Sequence, residues 1–578
     1  MAGMIVGQFV HADLDLSGAS AFLNLYTVAG NKYATKRFLQ PVDTEEALVK
    51  IQEPVIAIRR KLRKDKQLEG AIAALFEQIA ASEKSVDEII NFKDVDPRIL
   101  ELTDQVFWKA GAMGSFLNGW GFLIEAILFW KSILMPGFAV LMPFLVIVLP
   151  FILLRTMFQM PITVTDYVKI IHRLALSNTP LGNGSDTSTF GSLAKYAYLM
   201  MSVGVFISNI WNQIQAAIHL RSVAEDIRSN GGLIIQYVVK CKELATLLGD
   251  QVGVATAAAV EFDEDILNLG AYGMMYNNSK ALARLRDWVS EVDLEVGIAR
   301  LKGICFPKVF APTAKTDSPT AKTDSPLEAA PEQLGQSGQS GQSGQSGQSR
   351  QTVEFRLEIN SLYHPGVPVG RRIMNSVSMV PGSNNMLVTG PNRGGKSTLC
   401  KSVGFAIMTA QSWGFAWAKS MEFVPVSRFE TALAPADTLG RLSLFEAEIE
   451  FAKHLLVVAS TASTASTAVG ADAGPCAIIM DEIFHSTNAH DGAEASLIFL
   501  KQLYEKGGSA IGSIISTHYR ELPDKLQDKA KTYCMEAYDR GTDGIKYTYR
   551  CVPGISTISS VREILKERGL LSVENSVQ

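Results

Sequence analysis

The sequence is short of charged residues and has no closely spaced cysteines. Charged residues make up 19% of the 578 residues, against about 25% in typical soluble domains, and this deficit favours a membrane segment. The six cysteines form no CxxC pair, which argues against a zinc site of the usual spacing and against a disulfide framework. The net charge of −4 excludes a polycation, so any nucleic-acid surface has to be a local patch.

The amino terminus, MAGMIVGQFVHADLDL, has no basic segment followed by an apolar one. We therefore expect no cleavable signal peptide. The scattered cysteines indicate reduced thiols in a cytosol-like compartment.

Low-complexity segments divide the chain. Residues 313–326 are TAKTDSP written twice, and residues 335–349 are GQS written five times. Such segments cannot bury a core and are predicted to form a flexible linker between an amino-terminal part and a carboxyl-terminal part. A third repeat, AST at 459–467, is predicted to form a surface loop.

The two parts differ in hydrophobic periodicity. Residues 45–64 and 282–301 carry apolar side chains at spacings of three and four, which predicts helices. Short apolar runs at 386–389, 477–480 and 512–516 are typical of buried parallel strands. The amino-terminal part is therefore predicted to be mostly helical and the carboxyl-terminal part α/β.

An apolar stretch covers residues 111–154. Residues 132–154 contain no charge, and Glu125 is the only charge in 111–130. Twenty-three uncharged residues suffice to cross a hydrocarbon core of about 30 Å. We favour a tight transmembrane hairpin within 111–154. The alternatives are spans at 132–154 and 196–218, or a buried helical hairpin in a soluble protein.

A basic cluster precedes this stretch. It comprises Arg59, Arg60, Lys61, Arg63, Lys64 and Lys66. The cluster forms either a solvated helix face or a contact with anionic lipid or nucleic-acid phosphate.

Residues 390–397 fit the pattern G-x-x-x-x-G-K-[ST], after a strand-like MLVT and before a helical pattern. This is the context that a P-loop requires, because backbone N–H groups and a helix amino terminus then surround the phosphates. Lys396 is expected to reach the β- and γ-phosphates, and the Ser397 hydroxyl to bind Mg²⁺. The predicted nucleotide-binding residues are Gly390, Pro391, Asn392, Arg393, Gly394, Gly395, Lys396, Ser397 and Thr398.

A second apolar run ends in Asp481 and Glu482, which indicates a Walker B element. Asp481 is expected to hold Mg²⁺ through water, and Glu482 to orient or deprotonate the attacking water. A third strand is followed by His518, which is placed to sense the γ-phosphate.

These segments together resemble the MutS mismatch-repair family. TGPNRGGKST at 389–398 resembles the family's TGPNMGGKST, with Arg393 in place of methionine. DEIFHSTNAHDG at 481–492 resembles DEIGRGTSTYDG, with Phe484 and His485 replacing glycine and arginine. Further similar segments are 440–448 with the ABC-type signature serine at Ser443, STHY at 516–519, the tail 552–570, His364-Pro365 and Asn375.

The resemblance extends upstream to the MutS lever domain at 16–52 and 285–302, but not to a mismatch-reading or connector domain. It implies an α/β ABC-type P-loop ATPase domain after a mostly helical lever domain, and the hairpin predicted from the apolar stretch lies between the two arms of that lever. The predicted divisions are a first lever arm at 1–110, the hairpin at 111–154, a helical region with the returning arm at 155–310, a linker at 311–350 and the ATPase domain at 351–578.

The function that this resemblance implies is ATP hydrolysis with Mg²⁺ in a dimer, either a homodimer or a MutS-like heterodimer. Ser443 would reach the γ-phosphate bound by the partner, and ATP would hold the dimer closed. We expect an integral membrane ATPase, its ATPase domain on the cytosolic side, that acts on DNA or a DNA-repair or recombination complex. The alternatives are an ATP-driven switch at a membrane without DNA or mismatch recognition, and a nucleotide-binding scaffold with little turnover.

Overall fold

The computed structural model describes residues 3–91, 106–108, 112–177, 189–260, 268–310, 354–433, 444–464, 474–540 and 544–570. The chain forms two compact units. The first contains residues 1–25, 31–65 and 294–578, and the second contains residues 26–30 and 66–293. The predicted linker at 311–350 lies outside the described residues.

The elements of the first 310 residues are β1 (Ile5–Val6), α1 (Val10–Asp13), α2 (Val28–Phe38), α3 (Glu45–Lys64), α4 (Lys66–Ile90), α5 (Ala112–Gly119), α6 (Gly121–Phe129), α7 (Met135–Thr156), α8 (Val164–Ser177), α9 (Thr189–Leu248), α10 (Gln251–Ala258), α11 (Asn268–Asn277), α12 (Ser279–Arg300) and β2 (Lys308–Val309). A 3₁₀ helix covers Leu16–Leu23, and a π-helical turn, Trp130–Leu134, joins α6 to α7. The helices predicted at 45–64 and 282–301 are confirmed as α3 and α12.

The elements after residue 354 are β3 (Leu357–Leu362), β4 (Asn375–Met379), β5 (Asn385–Thr389), α13 (Lys396–Trp413), β6 (Ser420–Phe423), β7 (Arg428–Ala432), α14 (Leu444–Thr464), β8 (Cys476–Asp481), α15 (Ala489–Gly507), β9 (Ile511–Ser516), α16 (Leu522–Lys525), β10 (Lys531–Asp539), β11 (Ile545–Pro553) and α17 (Val561–Glu567). Short 3₁₀ helices cover Val369–Arg371 and Gly508–Ala510. The strands predicted at 386–389, 477–480 and 512–516 are confirmed as β5, β8 and β9.

The first unit is built on a seven-stranded sheet in the order β1-β7-β8-β9-β5-β10-β11. All neighbouring strands are parallel except β11, which is antiparallel to β10. The carboxyl ends of β5, β8 and β9 therefore meet at one edge of the sheet, where open α/β sheets bind ligands. A smaller sheet has the order β2-β6-β3-β4.

The central strands are apolar because both of their faces are covered. Every residue of β5 and β9 is buried, and α13 is buried along nearly its whole length. On the face covered by α14 and α15, Leu455, Ile478 and Leu500 belong to one core cluster. Continuous burial of this kind is what a parallel sheet between helices requires.

The amino-terminal residues are an integral part of the first unit. Strand β1 extends the large sheet by pairing with β7. The buried Asp13 carboxylate accepts hydrogen bonds from Thr431 Oγ1 (2.6 Å) and Leu433 N (2.9 Å). Trp413 Nε1 donates to the carbonyl of Ala34 at 3.2 Å. This division differs from the predicted arm at 1–110, because a two-residue strand leaves no periodic signal in the sequence.

The second unit is helical, as predicted for this part of the chain. Helix α9 runs for 60 residues and packs against α4 and α11. At the start of α2, the buried Asp293 carboxylate accepts hydrogen bonds from the N–H groups of Tyr26 and Thr27 and from the Thr27 hydroxyl. Carboxylates are favoured at this position because helix amino termini carry unpaired N–H groups.

The tight hairpin predicted within 111–154 is not formed. The helix is interrupted at Trp120 (φ −80°, ψ 81°), but residues 121–156 are helical throughout, with no turn near Lys131. Proline at 136 lacks an N–H group, and the preceding π turn, with Met135 N donating to Trp130 O, absorbs this break without reversing the chain. The uncharged length of the stretch therefore does not by itself predict a reversal of the chain.

The apolar helices of the second unit are exposed. In the described part of the chain, one helix, Gly121–Met142, is long and apolar enough to cross a membrane, and few of its side chains are buried. A shorter apolar helix follows at Phe144–Thr156. Helix α7 contacts α9, whose apolar side chains between Leu193 and Ile218 are also exposed. The candidate span at Gly121–Met142 differs in its bounds from the spans predicted at 132–154 and 196–218, which remain predictions.

The AST repeat does not begin a loop. Residues 459–464 lie in α14, where Ala459 is buried and Thr461 Oγ1 donates to the carbonyl of Val457 at 2.6 Å. Such hydroxyl-to-carbonyl bonds allow serine and threonine within a helix. Residues 465–467 lie outside the described residues.

Replacing Asp13 with alanine tests whether the amino-terminal segment stabilises the first unit. We expect Asp13→Ala to lower the free energy of unfolding by about 1–3 kcal/mol, because the Thr431 hydroxyl and the Leu433 N–H lose their acceptor. Denaturant unfolding measures this. The control is Asp528→Ala, which removes an exposed carboxylate from the same unit. Equal stability of both variants would contradict the structural role.

Candidate functional site

The loop at 390–395 joins β5 to α13 at the carboxyl edge of the large sheet. Gly390 has φ +150° and Gly395 has φ +100°, both in the region that favours glycine. A Cβ atom at Gly390 would lie 3.0 Å from Met535 Cβ, and one at Gly395 would lie 3.3 Å from Tyr549 Cδ1. Strands β10 and β11 thus hold the loop closely, and the two glycines allow it.

Lys396 begins α13 and is buried. Its Nζ donates to the carbonyls of Gly390 (3.2 Å) and Pro391 (3.4 Å) and lies 3.2 Å from His518 Nε2. Burial lowers the pKa of Lys396, while the nearby carboxylates of Glu482 and Asp481 oppose this shift. The loop therefore surrounds an ammonium group at the start of a helix, an arrangement suited to phosphate.

Asp481 and Glu482 end β8 beside the end of β9. Asp481 is paired in register with Ser516, whose hydroxyl donates to the Asp481 carboxylate. Glu482 Oε1 lies 2.6 Å from His518 Nε2. This hydrogen bond lowers the pKa of Glu482, with further contributions from the charges of His518 and Lys396. Lys396, His518 and Glu482 thus form a continuous chain of contacts.

A cavity of about 940 Å³ opens in front of the loop. This volume lies within the usual range for small-molecule and cofactor sites. Residues 392–398 and Glu482 line one side, and residues of the β10–β11 hairpin and of 362–375 line the other. Asp481 and His518 do not line this cavity. They line smaller cavities beside it. His518 contacts Lys396 and Glu482, which line the main cavity.

The far wall contains cationic and aromatic side chains that the sequence alone did not place. Arg372, Lys546, Tyr547 and Tyr549 line the cavity. The positions of Lys546, Tyr547 and Tyr549 depend on β10 and β11 folding back beside β5, more than 140 positions earlier in the chain. No local pattern in the sequence reports that pairing.

Two residues ahead of the loop, singled out by the family resemblance, have different surroundings. Asn375 fixes β4 to β11, since its Nδ2 donates to Tyr549 O (3.0 Å) and its Oδ1 accepts from Cys551 N (2.8 Å). His364 lines the cavity, and burial and Lys401 lower its pKa. Asn375 therefore supports the wall, while His364 forms part of it.

Three departures from the family motifs have structural partners. Arg393 pairs with Glu567 of α17. Phe484 is buried and packs edge-to-face on Phe445 and Phe499, with centroid distances of 5.9 and 6.0 Å.

The third departure, His485, lies with its Nδ1 3.1 Å from Glu448 Oε1 of α14. Ser486 donates to the same carboxylate. The segment after Glu482 is thereby fixed to α14. Ser443, the predicted signature serine, lies outside the described residues, directly before α14.

The predicted magnesium ligands supply only oxygen. The Ser397 hydroxyl belongs to the first turn of α13, and the Asp481 carboxylate ends β8. No group of three or more His, Cys, Asp or Glu side chains able to hold a metal occurs in the described ranges. Two protein oxygens suit Mg²⁺, which usually keeps water and substrate-phosphate ligands.

Comparison with known proteins identifies the matching region. The family model for MutS domain V matches residues 386–566. Proteins described as DNA mismatch repair protein MutS are similar to a third of this chain. The relative from Myxococcus xanthus (strain DK1622) is 29% identical over 203 residues, which are 34% of this chain and 21% of the relative.

Two further MutS relatives match to the same extent. The relative from Acetivibrio thermocellus is 27% identical over 204 residues, covering 33% of this chain and 21% of the relative. The relative from Desulforapulum autotrophicum is 29% identical over 206 residues, covering 34% and 22%. The match thus spans about a fifth of each relative. It confirms the resemblance seen in the motifs: residues 386–566 of this chain match MutS domain V, a P-loop ATPase-type α/β domain.

Proposed function

We propose that this chain binds ATP with Mg²⁺ in the 940 Å³ cavity and hydrolyses it. The observation that carries the proposal is the contact chain from Lys396 through His518 to Glu482, with distances of 3.2 and 2.6 Å. It joins a P-loop cation to the carboxylate that ends the neighbouring Walker B strand. The match of residues 386–566 to MutS domain V, a P-loop ATPase-type domain, also supports the proposal.

Each residue then has a role set by its position. The N–H groups at the start of α13 and the Lys396 ammonium bind the phosphates. Ser397 and Asp481 would hold Mg²⁺, which neutralises phosphate charge when it is bound. Glu482 orients the attacking water and accepts its proton, because its hydrogen bond to His518 keeps it ionised.

Replacing Glu482 with glutamine tests the hydrolysis proposal. We expect Glu482→Gln to lower the rate of phosphate release about 10²- to 10⁴-fold, since a positioned base is lost, while ATP still binds. Phosphate release and fluorescent-nucleotide binding by the detergent-purified full chain measure the two steps. The control is Glu494→Gln, an exposed side chain on α15. Unchanged turnover in Glu482→Gln would exclude Glu482 as the base.

The pH dependence of hydrolysis tests the contact between His518 and Glu482. The pKa of Glu482 is lowered in the folded protein, chiefly by its hydrogen bond to His518, so the ionised base persists as the pH falls. In His518→Asn we expect this pKa to rise, and the acidic limb of the kcat profile to move to higher pH. A lower rate with an unmoved acidic limb would show that His518 acts on another step.

We further propose that the ATPase works as a dimer and acts on DNA or on a DNA-processing complex. The support is that the similar proteins named above are DNA mismatch repair proteins. We expect duplex DNA to raise the hydrolysis rate of the wild-type chain at low salt, and the increase to fall steeply as salt is added. A rate indifferent to DNA favours the alternative, an ATP-driven switch at a membrane.

Membrane anchoring through the second unit is proposed from its exposed apolar helices. Residues 121–156 are helical throughout and include the candidate span Gly121–Met142. Helix α7 within this run contains 22 residues and extends about 33 Å at 1.5 Å per residue, comparable with a hydrocarbon core of about 30 Å. Its outward side chains include Phe144 and Val146, which are 62% and 66% exposed. Apolar surface of this extent is typical of membrane or protein contacts. We propose that the ATPase domain lies on the cytosolic side.

Alkaline carbonate extraction of membranes tests the anchoring. We expect the wild-type chain to stay in the pellet and Val146→Arg to move partly to the supernatant, since an arginine at the centre of a span costs about 2.5–3.5 kcal/mol. The control is Val369→Arg, which is 78% exposed in the first unit. Release of the wild-type chain by carbonate would contradict integral anchoring.

A further inference from the structure

A small pocket in the first unit lies apart from the P-loop cavity. It has a volume of about 220 Å³ and is formed by one side of α3 and by residues 304–306. The residues that line it are Ile56, Arg59, Arg60, Arg63, Ile304 and Phe306. Half of the basic cluster singled out in the sequence therefore surrounds one concave site.

The charge of this pocket comes from its arginine side chains. Among the described residues, none of Arg59, Arg60 and Arg63 forms a salt bridge with a carboxylate. The Arg59 guanidinium lies 5.7 Å from the centre of the Phe306 ring. Its buried Nη1 atom has no hydrogen-bond partner in the described part of the chain. A buried donor without a partner is costly, so turning the guanidinium toward an anion in the pocket would gain it an acceptor.

Burial and the nearby charge of Arg63 lower the pKa of Arg59. Both causes act against the charged form of the guanidinium. An anion between Arg59 and Arg63 would relieve the repulsion. Arg60 and Arg63 are exposed and free to close over such a ligand.

The remaining walls of the pocket are apolar. Ile56, Ile304 and Phe306 are partly buried and face the same space as the guanidinium groups. A phosphate of a nucleic-acid backbone needs cations at a surface but no apolar floor. A ligand that fits this pocket has a phosphate group for the arginines and a short apolar segment for the apolar walls.

We propose that this pocket binds the phosphate headgroup of an anionic phospholipid, with the glycerol and first acyl carbons against Ile56, Ile304 and Phe306. A lipid headgroup and a free phosphate share the phosphate group that the arginines would bind. The choice of a lipid over a free phosphate rests on the membrane anchoring proposed above. Arginine-rich surfaces attract anionic headgroups through their positive charge.

Binding of dihexanoylphosphatidic acid, a soluble short-chain lipid, tests the proposal. The full-length chain in detergent is titrated below the micelle concentration of the lipid and followed by calorimetry. We expect Arg60→Ala/Arg63→Ala to weaken binding about 10-fold or more, since two cations are removed from the pocket. The matched control is Lys50→Ala/Lys64→Ala, which removes two exposed cations from the same helix outside the pocket. All four side chains are exposed, so both variants are expected to fold.

Three further ligands identify the source of the phosphate. Dihexanoylphosphatidylcholine and inorganic phosphate are expected to bind at least several-fold more weakly than phosphatidic acid. Equal binding of inorganic phosphate would overturn the lipid assignment, because the apolar walls would then contribute nothing. A single-stranded oligonucleotide that binds more tightly than the lipid and is lost in Arg60→Ala/Arg63→Ala would also overturn it, in favour of nucleic acid.

The lipid test is separate from those of the proposed function. Nucleotide binding and carbonate extraction are measured on the same variants and are expected to remain at the wild-type level. Loss of headgroup binding with both retained would locate the effect in this pocket. No measurable binding of phosphatidic acid by a wild-type chain that resists carbonate would overturn the pocket while leaving the anchoring intact.

Discussion

The parallel pairing of β8, β9 and β5 is the constraint on which the candidate site depends. In the register of these strands, Asp481 stands opposite Ser516, and Ser516 stands opposite Val388. This register places the Walker B carboxylates and the loop before α13 at one edge of the sheet. His518, two residues beyond β9, then lies between them and contacts both Lys396 and Glu482.

The same register sets the electrostatics. Lys396 is buried, and desolvation alone disfavours its charge. The carboxylates of Glu482 and Asp481 compensate, while the contact with His518 favours the ionised form of Glu482. Because each charged form depends on the next, replacing one of these groups changes the protonation of its neighbours. Their effects on catalysis are therefore expected to be non-additive.

The sequence predicted the chemistry of the site better than its walls. The P-loop and the Asp481–Glu482 pair each come at the end of a short apolar strand. Such motifs can be recognised from neighbouring residues alone. By contrast, Tyr549 reaches the cavity because β11 pairs with β10 beside β5, and Arg372 reaches it from the segment between β3 and β4 of the smaller sheet. Strand β1 was missed for the same reason, since two residues have no periodicity.

The errors made from the sequence also have physical causes. The AST repeat suggested a loop by composition, but helix α14 accommodates its hydroxyl groups by bonding them to carbonyls one turn earlier. The two apolar parts of 111–154 suggested a hairpin, but a π turn at Trp130–Leu134 continues the helix between them. In both cases composition alone did not show which hydrogen bonds would keep the chain helical.

Residues 121–156 form one continuous helical run, and this determines how much apolar surface the stretch exposes. A compact hairpin could bury its two limbs against each other, whereas a continuous helix exposes apolar side chains along its length, as Phe144 and Val146 are here. The single carboxylate in the first half, Glu125, is neutralised by Arg228 of α9, with Arg228 Nε 2.9 Å from Glu125 Oε1. This charge pair is thus made within the second unit while apolar side chains of the same helix stay exposed, and the proposal of membrane anchoring rests on that exposure.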